Sequence, residues 1–282
     1  MKPIRDEQNA RKYWSEQMEA AAAFMERILA TPVQECGETM VYLPDTAKQA
    51  GVEVLFSDSL LAGRFERQFY LREGLVGAFL EVGRRMNSRG WIIKVEDAYR
   101  SSSMQKALGR DSGVFTRIVN KVFWELQGKE PSAELMFRRL SVLIATRPKL
   151  GTHMSGSALD ISVVDRSSGD ELDRGGPYLE LSERTPMSSP FVSESARRIR
   201  EEITELMGES GFVAYPYEFW HYSQGDAFQT LLDPDRPKAG YGAIDFDAKS
   251  GTVTPIGDPL APLHILEEIE GAVQEALGRR EA

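Results

Sequence analysis

Gly151-Thr152-His153-Met154-Ser155-Gly156-Ser157-Ala158-Leu159-Asp160 is the stretch on which this chain turns, and Glu218-Phe219-Trp220-His221 answers it further along. The chain has three histidines, and two of them lie in these segments. Two histidines and a carboxylate are a sufficient set for a catalytic zinc, which takes three protein ligands and keeps a fourth position for water. Glu218, three residues before His221, is then free to act as a base. From Ala158 to Val164 the pattern is that of a strand: Leu159, Ile161 and Val163 alternate with Asp160 and Ser162, which sends Asp160 to the face opposite the apolar one. Glu218 and His221 would point opposite ways on a regular strand, so both can reach one metal only across a turn or bulge near Phe219-Trp220.

Working outward, Trp91 to Asp97 is a largely buried strand leading into Ala98-Tyr99-Arg100. Before it, Leu71, Leu75, Phe79, Val82 and Met86 form the stripe of an amphipathic helix from Leu71 to Asn87, and Gly90 suits its C-terminal stop. Earlier still, Ala10 to Ala30 is helical, with Pro32 beyond its end, residues 52–56 suit a short strand, and 57–68 a loop. Ser101 to Arg147 is mostly helical, with core-facing stripes at Val114–Leu126 and Leu135–Ile144. After the central strand, Arg166 to Pro190 has the composition of a long loop, Glu194 to Met207 of a helix and Phe212 to Tyr215 of a strand. The remainder divides into a loop from Asp233 to Tyr241, a small hairpin from Gly242 to Val253 and a helix from Ile265 to Leu277.

At 282 residues the chain is long enough for one large domain or two small ones, with 41% hydrophobic and 27% charged residues. A net charge of −9 argues against nucleic acid or an anionic membrane surface as partner. A single cysteine excludes an intrachain disulfide framework and a Cys-based zinc site. Nothing beside Cys36 would lower its pKa, so an inert, partly buried thiol is expected there. No secretory leader and no run of eighteen apolar residues is visible, which makes the cytoplasm the expected compartment.

A peptidase zinc polarises the scissile carbonyl and acidifies a water, while a carboxylate outside the ligand set moves the proton and a fixed cation faces the developing oxyanion. His153, Asp160, His221, Glu218 and Arg100 cover that list. His153 to Asp160 resembles the His-x-x-Gly-x-Ala-x-Asp motif of the zinc D-alanyl-D-alanine dipeptidases (VanX type, peptidase family M15). Glu218 to His221 is similar to that family's Glu-x-Trp-His, and Asp97 to Arg100 to its Asp-x-Tyr-Arg. The helix from Tyr70-Leu71-Arg72 and the Gly211-Phe212 turn keep their relative places, so the resemblance spans roughly residues 65 to 225.

The resemblance implies that His153, Asp160 and His221 bind one zinc per chain. Glu218 would be general base and then acid, and Arg100 would stabilise the tetrahedral intermediate. It further implies that Asp97 orients Arg100 and that Trp220 packs beneath the site. The implied fold is α+β, a small, mainly antiparallel sheet flanked by helices with the zinc on one sheet face, as in hedgehog and DD-peptidase-like domains. The expected substrate is a short peptide. Three departures bear on it: Gly151 replaces a substrate-holding serine, Ser101 replaces the proline after Tyr-Arg, and the Tyr178–Arg184 loop aligns poorly. Glu180 or Glu183 could meet the substrate amine from that loop. The same machinery could instead act on another small amide or a cell-wall or natural-product peptide, and folds of this type also serve as zinc-binding modules without catalysis. The expected layout is a single domain, with residues 1–60 as an N-terminal helical extension, 227–282 as an additional C-terminal segment and His264 in a structural role.

Overall fold

The computed structural model describes residues 2–233, 235 and 238–281, with the side chains of 2–5 and 279–281 left aside. In chain order the elements are α1 (Lys2–Ala30), β1 (Met40–Tyr42), α2 (Leu43–Gln49), β2 (Val54–Phe56), β3 (Tyr70–Arg72), α3 (Glu73–Ser88) and β4 (Trp91–Asp97). Next come α4 (Ser102–Leu108), α5 (Ser112–Glu125), α6 (Ala133–Leu143), short 3-10 turns at Pro148–Leu150 and Thr152–Ser155, β5 (Ala158–Asp165) and α7 (Glu194–Glu209). The chain finishes with β6 (Val213–Ala214), β7 (His221–Ser223), α8 (Ala227–Leu232), β8 (Ile244–Asp247), β9 (Thr252–Pro255) and α9 (Leu266–Glu281).

The central sheet has five strands in the order β2-β4-β5-β7-β6. Only β2 and β4 run parallel; the remaining pairs are antiparallel. The fold is thus α+β with a small, mainly antiparallel sheet, as expected. Ile93 and Val95 on β4 and Leu159, Ile161 and Val163 on β5 share one core with Phe79, Val82 and Met86 of α3 and Ile203 and Leu206 of α7. Each is almost fully removed from water, a burial that favours folding by ~1.5–3 kcal/mol per large aliphatic side chain. Because side chains alternate across a strand, Asp160 and Ser162 go to the other face.

Over that face lies a helical layer. Trp14, Met18, Met25 and Ile28 of α1 pack with Val142, Leu150, Tyr215 and Phe228. Phe115, Ile118 and Val122 of α5 and Met136 and Leu140 of α6 pack with Ile269, Val273 and Ala276 of α9. A buried Arg139–Glu125 ion pair joins α6 to α5, and Trp14 Nε1 donates to the same carboxylate at 3.2 Å. The C-terminal hairpin β8–β9 clasps Tyr99, whose hydroxyl donates to the Ile244 carbonyl at 3.2 Å and accepts from the Phe246 amide at 2.9 Å. Among the described residues no helix is long and apolar enough to cross a membrane.

Three expectations need correction. Leu71 belongs not to the amphipathic helix but to β3, which pairs antiparallel with β1; α3 begins at Glu73. Leu71 still enters the core, which is why the helical stripe absorbed it. Cys36 is exposed, because its segment runs along the surface with its amide donating to the Gly240 carbonyl at 3.0 Å. The first 60 residues are not a purely helical extension: besides the expected strand, now β2 at an edge of the central sheet, they carry β1. Within the expected Asp233–Tyr241 loop, residues 234, 236 and 237 lie outside the described residues.

Candidate metal centre

Asp97, Asp160 and His221 sit side by side on three neighbouring strands, Asp160 being directly paired with both of the others. Directly opposed residues project to the same face, and for Asp97 this depends on a bulge. Trp91, Ile93 and Val95 alternate toward the core, so unbroken alternation would bury Asp97 there too. The register of β4 against β5 shifts between Val95 and Asp97, one extra residue that turns Asp97 to the Asp160 side.

His153 comes from the 3-10 turn before β5, which ends at Gly156 in the left-handed region (φ 68°), where glycine is favoured. Two backbone ties hold the turn against the end of β4. His153 Nδ1 lies 2.5 Å from the Ala98 carbonyl, to which it donates, and the Arg100 amide donates to the His153 carbonyl at 3.2 Å. The buried Arg72 adds a third, its Nε donating to the Ser155 carbonyl at 2.6 Å. Glu218, Phe219 and Trp220 form the turn between β6 and β7, with the His221 amide donating to the Glu218 carbonyl at 3.3 Å. This turn resolves the three-residue spacing: Glu218 and His221 reach one cleft because no strand separates them. Phe219 wedges the turn in place between two buried guanidiniums, Arg174 at 4.9 Å and Arg200 at 4.1 Å from its ring centre. Arg200 also donates to the carbonyls of Arg174, Pro186 and Arg184, which fastens the 166–190 loop to the same turn.

His153 Nε2 lies 3.2 Å and His221 Nδ1 2.8 Å from one oxygen of Asp160. One ligand atom from each residue falls within 4.8 Å of the others, and all three residues are buried. The outward nitrogens are also accounted for. His153 Nδ1 faces a carbonyl, which leaves Nε2 with the free lone pair, and His221 Nε2 is 2.9 Å from Thr152 Oγ1. If His221 ligates through Nδ1, its Nε2–H donates to Thr152. Imidazoles oriented through their second nitrogen and a carboxylate held nearby are the donor set and outer support of a divalent metal site, so the residues fit such an ion.

Electrostatics divide the carboxylates. Burial alone would raise the Asp160 pKa, but His153 and His221 outweigh it and hold the group well below the usual range. Burial raises Glu218 well above its ordinary value, and the Asp160 charge adds to this against the opposing pull of Arg100 and Trp220. Burial also lowers His221, favouring the neutral imidazole that a metal needs. Arg100 is buried, yet Asp97 and Asp160 more than offset the burial and keep it charged. Its Nε donates to Asp97 Oδ2 at 2.7 Å and one terminal nitrogen to Asp160 Oδ2 at 3.3 Å.

Arg100, His153, Asp160, Glu218, Trp220 and His221 all line one cleft. Glu180 lines it as well, whereas Glu183 turns away to pair with Lys121 at 3.1 Å. Gly151 also lines it, close to Met154. His264 sits elsewhere, buried against Gly109 beside α9. Sequence reasoning missed Thr152, which lies inside the quoted stretch but carries no motif, and Tyr178, whose hydroxyl donates to Asp160 Oδ2 at 2.9 Å from a loop without periodicity. It also missed Asp226, which caps α8 and accepts from Ser157 Oγ at 2.8 Å.

Residues 136–237 match a family model, Peptidase_M15, described as D-ala-D-ala dipeptidase. A D-alanyl-D-alanine dipeptidase of Synechocystis sp. is 29% identical over 252 residues, 77% of this chain and 96% of the relative. The D-alanyl-D-alanine dipeptidase of Escherichia coli is 32% identical over 83 residues, 29% of this chain and 42% of its own. That of Enterococcus faecium is 30% identical over 71 residues, 25% and 35% of the two chains. Among solved structures, an LD-carboxypeptidase aligns over 72% of this chain and 75% of its own at 18% identity, with a TM-score of 0.37.

Proposed function

As this chain belongs to the D-alanyl-D-alanine dipeptidase (peptidase M15) family and is a peptidase, we propose that it hydrolyses short peptides of the D-alanyl-D-alanine type. His153, Asp160 and His221 would hold one zinc ion. The observation that carries this is the convergence of those three side chains with Glu218 and Arg100 in a single cleft. Zinc held there would supply Lewis acidity toward the scissile carbonyl and lower the pKa of an attacking water. Glu218 would take the proton from an attacking water and deliver it to the nitrogen of the leaving amine. A carboxyl held above its usual range is matched to such transfers near neutral pH. The Arg100 guanidinium, fixed by Asp97, faces the oxygen that gains negative charge as the carbonyl becomes tetrahedral. Thr152 and the Ala98 carbonyl orient the two imidazoles, and Tyr178 holds Asp160 by its second oxygen. Glu180, the loop carboxylate that lines the cleft, would meet the substrate's free amine. Residues of about 65–225 carry this machinery as one catalytic domain with the flanking segments, and it would work in the cytoplasm.

The experiment is hydrolysis of D-alanyl-D-alanine and other short peptides by the zinc-loaded chain, read by released amino acid. Glu218→Ala should lower kcat by about 10²–10⁴-fold, and His153→Ala should remove both bound zinc and activity. Full hydrolysis by either variant would refute the assignment. Zinc bound at one per chain without turnover of any peptide would make the protein a binding module instead.

A further inference from the structure

The cleft is lined by two unlike sets of residues. One is the charged set described above. The other is carbon: Leu108 at the end of α4, Ile118 on α5, Val142 and Ile144 at the end of α6, and Leu179 and Leu181 on the 166–190 loop.

The wall is held by strained backbone. Among the described residues four besides glycine adopt positive φ, and two of them, Ala145 and Leu179, line this cleft, each at φ 61°. A left-handed leucine is unfavourable and persists only where its surroundings impose it. Here Arg117 reaches across from α5 and donates to the Leu179 carbonyl at 3.0 Å. The Leu179 side chain is nonetheless 42% exposed, so the strain does not serve to bury it in the protein. One oxygen of the neighbouring Glu180 and the Thr185 hydroxyl are already engaged. Glu180 accepts from Arg184 at 2.7 Å, and Thr185 Oγ1 donates to the Glu180 carbonyl at 2.7 Å.

We propose that this apolar lining is a side-chain subsite, and that the preferred substrate is a short peptide with a large aliphatic side chain, of leucine size, beside the scissile bond. The inference rests on the peptidase function proposed above and specifies its substrate class. A methyl group would leave the exposed Leu179 in contact with water beside the buried Leu108 and Ile118; a leucyl side chain would cover it.

The test compares kcat/KM of the zinc-loaded chain for D-Ala-D-Ala, D-Leu-D-Ala and D-Ala-D-Leu, with the L-forms alongside. One leucyl peptide should exceed its alanyl counterpart by about tenfold or more. Leu179→Asp, at an exposed position whose backbone suits aspartate, should collapse that ratio toward one. Hydrolysis of alanyl-alanine equal to or faster than every leucyl peptide would overturn the subsite while leaving the peptidase function standing. An unchanged ratio in Leu179→Asp would also overturn it. Absence of hydrolysis of the whole panel would overturn both.

Discussion

Thr152→Val tests whether the second nitrogen of His221 is what makes it a ligand. The two side chains have nearly the same shape, so the exchange removes one hydroxyl and little volume. Thr152 and His221 are each only 5% exposed, so water cannot readily take the place of Oγ1. A buried donor left without a partner costs about 1–3 kcal/mol. At about 1.4 kcal/mol per tenfold, that is about 5–150-fold in affinity, in line with the 10–100-fold (about) typical of outer-shell losses. The assay is zinc competition against a chromophoric chelator near neutral pH, with the thermal midpoint of the metal-free protein measured alongside to separate ligation from folding. Thr152→Ser, which keeps the oxygen, should stay close to the parent protein. A Thr152→Val variant that binds zinc within about twofold of the parent would refute the argument, because the 2.9 Å contact would then contribute nothing to ligation.

Two further outcomes are expected. Gly156→Ala forces a side chain into the left-handed region, at ~1–2 kcal/mol for the backbone, and displaces the flexible end of Met40; denaturant unfolding should show a loss of ~1–2 kcal/mol, and no measurable loss would contradict it. Glu218, pushed up by burial, binds its proton more tightly folded than unfolded, so its contribution to stability is present below its unfolded pKa and lost as pH rises through the folded one. Glu218→Gln should therefore raise the stability of the metal-free protein near pH 8 and leave it unchanged near pH 4, while activity is lost; a melting comparison that shows no pH dependence would sink the claim.

The parts of the site legible in the sequence are those written in local pattern. The alternation of Leu159, Ile161 and Val163 fixes which way Asp160 projects. The three-residue interval from Glu218 to His221 demands a turn, and the structure has one. The parts that stayed hidden depend on contacts between distant segments. Tyr178 meets Asp160 because Arg200 and Arg174 gather its loop against Phe219, a linkage with no periodicity to betray it. Tyr70 to Arg72 is too short and too apolar to separate from the helix behind it; only its pairing with β1 makes it a strand. Which of Glu180 and Glu183 faces the cleft was likewise open until Lys121 claimed the second.

The bulge in β4 governs how such a site can change. Asp97, and with it Arg100, faces the metal side across a bulge, where β4 has one residue more than its partner strand beside Glu96. Substitution at that place alters a side chain but not the count, so the parity of Asp97 persists. Removing that one extra residue would restore strict alternation with Asp97 next after Val95, still opposite Asp160 and still on the metal side. In a lineage of such proteins, the oxyanion side of the site would therefore keep its face of the sheet both through drift among amino acids and through loss of that one codon.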